Sequence, residues 1–249
     1  MAITVTATQG GSTGNGFMLR VFVITGAKPV ATQTGAAVNQ QVSASNTWTQ
    51  SITTSANSNV YGAAAPFVSG LTFTGSNATI VDQINDATNG ATWGTFHALG
   101  VTAGATVRGF TTTNTPTGPE AMFEILAAAT LAEDGSGPIA ASTTGAGPLT
   151  TASFTPPAGS LLVACIASNG GAGTTTFSLS NSGTALNWTQ KSQNNPAGGD
   201  YAGIWIADIP AAGGGPLPAL PGQTWLRQFH HRQILLPPGP PAEIGRAHV

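Results

Sequence analysis

Short segments typical of β-strands recur along the whole chain. They are rich in β-branched and aromatic residues, and clusters of Gly, Asn, Ser or Pro separate them. The clearest examples are residues 3–8, 18–25, 71–84, 105–112, 160–167, 176–182 and 201–209. Many short strands at nearly regular spacing predict a β-sandwich or a barrel. We therefore expect an all-β protein.

One segment also fits a helix. Residues 119–134, PEAMFEILAAATLAED, begin with a glutamate and continue into an alanine-rich stretch. The central part, AMFEIL at 121–126, is equally compatible with a single strand. Because strand patterns dominate the rest of the chain, we predict a strand at 121–126.

The segment at 3–25, ITVTATQGGSTGNGFMLRVFVIT, predicts a β-hairpin whose turn is rich in Gly and Ser. Two isolated strands are only marginally stable in water. Their apolar side chains would also invite pairing at a free sheet edge; these include Ile3, Val5, Phe17, Leu19, Val21 and Val23. Another part of the chain, or another molecule, must therefore complete this pair.

Two portions of the chain run through a similar order of elements. The later portion consists of 153–167, 176–192 and 201–214, and the earlier one of 51–65, 70–86, 91–99, 105–112 and 121–129. The earlier portion has two further strands, of the kind that the N-terminal pair would supply. A rival alignment matches the Trp-Thr-Gln sequences at 48–50 and 188–190. We prefer the strand order, because a three-residue match arises easily by chance in a Thr-rich chain.

This correspondence predicts two small β-sandwich domains of immunoglobulin-like or jelly-roll type, the second completed by the N-terminal hairpin. The hairpin, residues 1–27, would form a sandwich together with 145–214. The remaining predicted divisions are a complete sandwich at 28–130, a linker at 131–152, an incomplete sandwich at 153–214 and a Pro-rich tail at 215–249. The chain would then be a window cut from a tandem array of such units.

The tail differs in composition from the rest of the chain. It holds 3 of the 7 basic residues and 3 of the 4 histidines. Its last seven residues, EIGRAHV, match the in-frame translation of a common sequencing adapter. We expect 215–249 to be non-native or disordered, and the alternative is a native Pro-rich tail.

The chain carries very little charge. Charged residues make up 6% of the sequence and the net charge is −2, whereas ordinary soluble domains have about 25% charged residues. No basic field is available to attract nucleic acid or an anionic membrane, so we expect neither partner. No signal peptide or membrane-spanning run is apparent, and we expect no membrane insertion. The single cysteine, Cys165, cannot form an intrachain disulfide, and we expect a buried apolar residue there.

Catalytic patterns find little support. The sequence GGSTG at 10–14 matches G-x-S-x-G, and Ser12 could be combined with His97 and Asp82 or Asp86 in a triad. However, the nucleophile elbow needs a helix after the serine, and here a strand pattern follows. A turn between two strands is the better interpretation, so we predict no enzyme and no catalytic residue.

Metal and cofactor patterns also fail. The Asp- and Asn-rich segment 82–90 could supply oxygen ligands to calcium, but Trp93 stands where an EF-hand loop needs a bidentate glutamate. A turn between strands explains the same residues. His230 and His231 are adjacent and lack companion ligands at a suitable spacing. No phosphate-binding glycine pattern occurs, and we predict no cofactor.

Four tryptophans are the remaining candidates for ligand contact: Trp48, Trp93, Trp188 and Trp205. On a sheet face they could stack on sugar rings. The alternative is burial between two sheets, which is common for tryptophan in sandwiches. Strand alternation assigns two faces without telling which of them points inward.

Four segments carry a resemblance to a known group of proteins. These segments, SFTPPAGSLLVACIAS, LNWTQKS, YAGIWIADI and MLRVFVITGA, resemble the repeated sandwich units of virion-associated or cell-surface proteins from actinobacteria and their phages. The resemblance covers about residues 3–212 and lends no catalytic residue. It implies a structural or adhesive module of a phage tail or surface array, located on the virion or outside the cell. Its expected partners are neighbouring units, other copies and cell-surface glycans. The alternative is an accessory carbohydrate-binding unit of a larger secreted hydrolase.

Overall fold

The computed structural model of the protein describes residues 1–11, 16–170, 174–196 and 200–211. Within these residues the chain forms seventeen β-strands, one 3-10 turn at Val30–Thr32 and no α-helix. The all-β prediction is confirmed, and no helix in the described part of the chain is long and apolar enough to span a membrane. Ser12 and the predicted tail at 215–249 lie outside the described residues.

The strands are β1 (Val5–Gly11), β2 (Phe17–Ala27), β3 (Ala37–Val42), β4 (Thr47–Thr54), β5 (Ser58–Ala64), β6 (Phe73–Ser76), β7 (Thr79–Asp86), β8 (Ala91–Val101), β9 (Gly104–Thr112), β10 (Gly118–Ile125), β11 (Ala127–Glu133), β12 (Ala141–Thr143), β13 (Pro148–Thr150), β14 (Leu161–Ser168), β15 (Thr175–Asn181), β16 (Thr189–Asn194) and β17 (Tyr201–Asp208). The strand predicted at 121–126, in competition with a helix, is confirmed as most of β10.

The strands form four antiparallel sheets. Sheet A has the order β13-β1-β15, and sheet B has the order β11-β2-β14-β17-β16, with β12 also pairing with β2. Sheet C has the order β3-β10-β5-β8-β7, and sheet D has the order β4-β9-β6. Sheets A and B make one sandwich, and sheets C and D make the other.

Three large hydrophobic cores and one smaller cluster, which includes Met18 and Trp93, hold these sheets together in a stack. The A/B core includes Val5, Leu19 and Ile166, and the C/D core includes Trp48 and Met122. A third core, the B/C core, lies between the two sandwiches and includes Phe22, Phe123 and Cys165. The order of layers is therefore A, B, C, D, and the two inner sheets are covered on both faces.

Double coverage explains the near-continuous apolar sequence of the inner strands. In β14, every residue from Leu161 to Ser168 is buried. Leu162, Ala164 and Ile166 enter the A/B core, while the alternate residues Leu161, Val163 and Cys165 enter the B/C core. Burial of Cys165 is as expected.

The N-terminal strands complete the second sandwich, as predicted, but they do not form a hairpin. β1 lies in sheet A between β13 and β15, whereas β2 lies in sheet B beside β14. The two strands therefore face each other across the A/B core, with Val5 and Ala7 on one side and Leu19 and Val21 on the other. A hairpin would place all these side chains in one sheet and leave that core half empty. We call residues 1–27 the N-terminal arch.

The two sandwiches have the same strand order. Sheets C and D use β3 to β10 in sequence, and sheets B and A use β12 to β17 followed by β1 and β2 in the corresponding positions. β14 thus matches β5, β17 matches β8, and the arch matches β9 and β10, as the strand-order alignment predicted. The rival alignment would equate Trp48 on β4 with Trp188 beside β16, which occupy different sheets of their sandwiches. Membership of a longer array stays a prediction.

The segment between the sandwiches is more ordered than a simple linker. Residues 131–152, predicted as a linker, contain the end of β11 and the strands β12 and β13. β11 and β12 pair with β2, and β13 pairs with β1. The described residues up to 211 all belong to one compact unit. The exact domain boundaries stay a prediction.

The arch should contribute strongly to stability. Leu19 on β2 is fully buried in the A/B core, and truncation of such a leucine costs about 2–5 kcal/mol. We expect Leu19→Ala to lower the free energy of unfolding by this amount in denaturant titrations. The matched control is Leu99→Ala, because Leu99 is 50% exposed and its truncation should cost less than about 0.5 kcal/mol. Equal effects of the two variants would contradict the placement of the arch in the core.

Candidate functional site

A cluster of ionisable side chains connects the two inner sheets. Glu133, at the end of β11 in sheet B, accepts a hydrogen bond from the Tyr61 hydroxyl of sheet C at 2.9 Å. The Nδ1 atom of His97, also in sheet C, lies 2.6 Å from the same Glu133 oxygen. We call Glu133, Tyr61 and His97 the Glu133 cluster. It joins sheets B and C at the border of the B/C core.

A second ion pair crosses between the same two sheets. The Nε atom of Arg20 on β2 lies 3.6 Å from the Oδ2 atom of Asp82 on β7. Thr95 donates a hydrogen bond of 2.6 Å to that Asp82 oxygen. The Arg20 guanidinium also lies 4.9 Å from the centre of the Phe22 ring, a distance that suits a cation-π contact. Arg20 therefore pairs across the gap between the sandwiches.

The electrostatics of the Glu133 cluster favour a fixed carboxylate. Burial raises the pKa of Glu133, but the hydrogen bonds from His97 and Tyr61 and the charges of His97 and Arg20 lower it by more, so that the net pKa lies below its ordinary value. Burial and the neighbouring Glu133 raise the pKa of Tyr61 well above its ordinary value. Glu133 thus accepts hydrogen bonds as an anion, and Tyr61 donates as a neutral phenol. This arrangement fastens two sheets and activates no nucleophile.

The described members of the hypothetical triad, His97 and the two aspartates, are not paired with one another. His97 is paired with Glu133, whereas Asp82 contacts Arg20 and Thr95. Asp86 accepts hydrogen bonds from the backbone amides of Thr88 and Asn89. These bonds are typical of an Asx turn. The turn predicted for 82–90 occupies 87–90, because the residues up to Asp86 belong to β7. Ser12 lies outside the described residues.

The described part of the chain contains no group of three or more His, Cys, Asp or Glu side chains that could hold a metal ion. A cleft of about 590 Å³ lies beside Asn59 and Gly100, with residues 127–131 forming another wall. Asn59 donates to the Tyr61 hydroxyl at 3.4 Å and accepts from the backbone amide of Gly100 at 2.9 Å. Both polar groups of the Asn59 side chain therefore already form hydrogen bonds within the fold.

Two of the four tryptophans lie in hydrophobic cores. Trp48 is completely buried in the C/D core, where its ring stacks on Phe110 with centroids 5.6 Å apart. Its indole nitrogen donates to the backbone carbonyl of Ser45. Trp93 is 1% exposed and packs with Met18 and Ala167. Neither ring offers a face on which a sugar could stack.

The other two tryptophans lie at the border of the A/B core. Trp188 and Trp205 are half-buried and pack against this core. Sheet A has only three strands and cannot cover the whole face of sheet B. Gln190 is the cross-strand partner of Trp205, and both donate to the Tyr201 hydroxyl, at 2.7 and 3.1 Å respectively. We call Trp188, Trp205, Gln190 and Tyr201 the tryptophan edge.

A buried glutamate of sheet C, Glu120, has no cationic partner. Glu120 on β10 is fully buried and accepts hydrogen bonds through Oε2 from the side-chain amides of Gln40 and Gln50. Its Oε1 atom has no hydrogen-bond partner. Burial raises the pKa of Glu120 to about 8, although the two amide bonds lower it in part. The side chain is therefore mainly neutral at pH 7.

Sequence reasoning missed the Glu133 cluster and the ion pair of Arg20 with Asp82. Their members are separated by tens of residues and no motif connects them. Comparisons with known proteins identify no relative: no family model, no curated protein and no solved structure matches the chain.

Opposite pH dependences should distinguish the buried Glu120 from the more exposed Glu133. The raised pKa of Glu120 contributes stability that is present below pH 4.5 and is lost as the pH rises to about 8. Glu120→Gln should remove this decline, which is roughly 3–4 kcal/mol between pH 5 and 8. The lowered pKa of Glu133 contributes stability that is present above pH 4.5 and is lost in acid. Glu133→Gln should therefore destabilise at pH 7 and have little effect near pH 3. Denaturant titrations across this range measure both, and parallel pH profiles for the two variants would contradict the assignments.

Proposed function

We propose that the protein is a non-enzymatic structural or adhesion module of a phage tail or a bacterial surface repeat array. The observation that carries this proposal is the closure of the second sandwich by the N-terminal arch. The arch occupies the positions that β9 and β10 occupy in the first sandwich. Units with this design can be joined end to end, because each arch has the shape that completes a sandwich.

The packing of the two sandwiches supports the same role. A spacer has to keep its two ends in a fixed relation, and sheets B and C share the B/C core over five strands. The Glu133 cluster and the pair of Arg20 with Asp82 add polar connections across the same boundary. These ionisable groups thus serve the packing of sheets B and C.

Localisation tests this proposal. An antibody raised against the whole folded chain is applied to purified virions, cell-envelope fractions and cytosol from the culture that carries the gene. We expect the protein in the virion or envelope fraction, at a fixed stoichiometry to a known structural protein. A cytosolic enzyme detected in parallel controls for leakage. Recovery in the cytosol alone would contradict the proposal.

A second candidate function is the binding of carbohydrate, which the tryptophan edge favours. Two half-buried indoles lie near the half-buried Gln190 amide, and such a surface can stack on sugar rings while the amide bonds to their hydroxyls. In this case the protein would be an accessory unit of a secreted hydrolase.

Binding to insoluble polysaccharides tests the second candidate. We expect a carbohydrate-binding protein to be retained on at least one of cellulose, chitin, xylan or peptidoglycan, and Trp205→Ala to lose at least about tenfold in affinity. Phe67→Ala is the matched control, because Phe67 is an aromatic residue that is 50% exposed and lies outside the edge. Thermal unfolding of each variant reports whether it has folded. Equal retention of both variants would contradict a site at the edge.

A further inference from the structure

The N-terminal arch makes its longest strand pairings with β14 and β15, far along the chain. Phe17 to Ile24 of β2 pair residue by residue with β14, and β1 pairs along its whole length with β15. Ile3 forms a further bridge with Phe154. The arch is therefore a complement to the second sandwich, although it precedes the first sandwich in the sequence.

A short connector joins the arch to the first sandwich. Residues 28–36, between β2 and β3, contain only the 3-10 turn at Val30–Thr32. Nine extended residues can span about 30 Å. Backbone bonds hold the two ends of the connector, from Lys28 N to Leu126 O and from Glu124 N to Ala36 O. Side chains hold its middle: Gln33 bonds to the backbone of Leu126, and Asp208 accepts from the amide of Val30 at 3.0 Å. Its release would break no strand ladder.

The entry point of the arch lies where β17 ends. Met1, Ile3, Ile209 and Pro210 line a single groove of about 210 Å³. In the first sandwich, the equivalent strands β8 and β9 are joined directly by a turn at 101–104. In the second sandwich, β17 and β1 come from opposite ends of the described residues. A covalent turn like that between β8 and β9 would tie the second sandwich to the arch of the same chain. Between β17 and β1 there is a non-covalent contact in place of such a turn.

We propose that the second sandwich accepts the arch of a second copy of this chain, so that copies associate by exchanging residues 1–27. Exchange rebuilds the same strand ladders and the same A/B core. The equilibrium between closed chains and exchanged copies therefore depends on protein concentration and on the connector. The inference deepens the proposed structural role and rests on it for its biological use. Exchange that does not close on itself would give a head-to-tail row of copies.

Cysteine trapping tests the exchange with complete chains. Arg20 and Cys165 are direct cross-strand partners, and the Cα separation of such a pair in an antiparallel sheet, about 4.5–5.5 Å, suits a disulfide. Wild-type chain, in which Cys165 is the single cysteine, is mixed with an Arg20→Cys, Cys165→Ala chain of different mass. The mixture is unfolded and refolded together in a glutathione buffer, because burial raises the pKa of the Cys165 thiol and slows its oxidation in the folded state.

A disulfide between position 20 of one chain and Cys165 of the other requires an exchanged arch. We expect this covalent heterodimer to increase at least severalfold when the protein concentration is raised tenfold, and peptide mapping should locate the bond. The matched control is a Ser51→Cys, Cys165→Ala chain, since Ser51 is exposed on β4. It reports disulfides formed by random collision.

Several outcomes would overturn the proposal. A chain with Arg20→Cys that retains Cys165 shows whether the bond can form at all. If it forms within that chain while the mixture yields no heterodimer above the control, exchange does not occur. A second pair, Val21→Cys and Ala164→Cys on Cys165→Ala chains, is used in the same way, because these residues are also cross-strand partners.

Light scattering of refolded wild-type protein completes the test. A monomeric mass at every concentration would overturn the proposed exchange. A larger mass without either disulfide would also overturn it, because the copies would then associate through another surface. These failures would leave the proposed role in a covalently linked array intact. Cytosolic localisation would overturn that role without affecting the exchange measurements.

Discussion

The face-to-face packing of sheets B and C is the constraint on which the rest of the structure depends. It requires β2, β5, β10 and β14 to be buried on both faces, and their sequences are correspondingly apolar or small. Buried inner strands leave little room for charge, which is consistent with 6% charged residues in the whole chain. The other face of sheet C is packed tightly as well: a Cβ atom at Gly62 would lie about 2.1 Å from the Phe96 ring of the C/D core. The outer sheets can alternate polar and apolar residues because each has one solvent face.

The pairing of the few charged groups near sheets B and C is explained by the cost of burying charge. An isolated buried charge is expensive, so buried ionisable groups are paired or neutral. Glu133 is paired with His97 and Tyr61, and Arg20 with Asp82. Glu120 has amide partners without a cation, and burial raises its pKa to about 8. The pKa of Glu133 is lowered and that of Glu120 is raised, so the two glutamates affect stability in opposite directions as the pH changes.

Much of the fold could be predicted from strand patterns, but the pairing of the first two strands could not. Period-two alternation in Ile3 to Ala7 and Leu19 to Val23 identifies inward faces, and it is identical for a hairpin and for an arch across a core. The strand order placed the pair with the second sandwich, because the later portion of the sequence lacks two strands that the earlier portion has. Trp48 and Trp93 could not be assigned to a core either, because alternation does not tell which face of a strand points inward. The Glu133 cluster depends on stacking of two sandwiches, which brings Tyr61 beside Glu133 and leaves no local pattern.

The two sandwiches have matching strand orders but different covalent connections. The second sandwich therefore owes the placement of two of its strands to non-covalent contacts. In the first sandwich the turn at 101–104 holds β8 and β9 together in any state of the protein. In the second, the arch is retained by its contacts and by the connector at 28–36. Bonds such as those of Asp208 to Val30 and of Lys191 to Gln33 contribute on the order of 1 kcal/mol each. The strand ladders and the A/B core contribute far more, but they are the same for an arch from either copy. The choice between a closed chain and an exchanged one therefore depends on a few connector contacts, the concentration of the protein and the slow opening of the core.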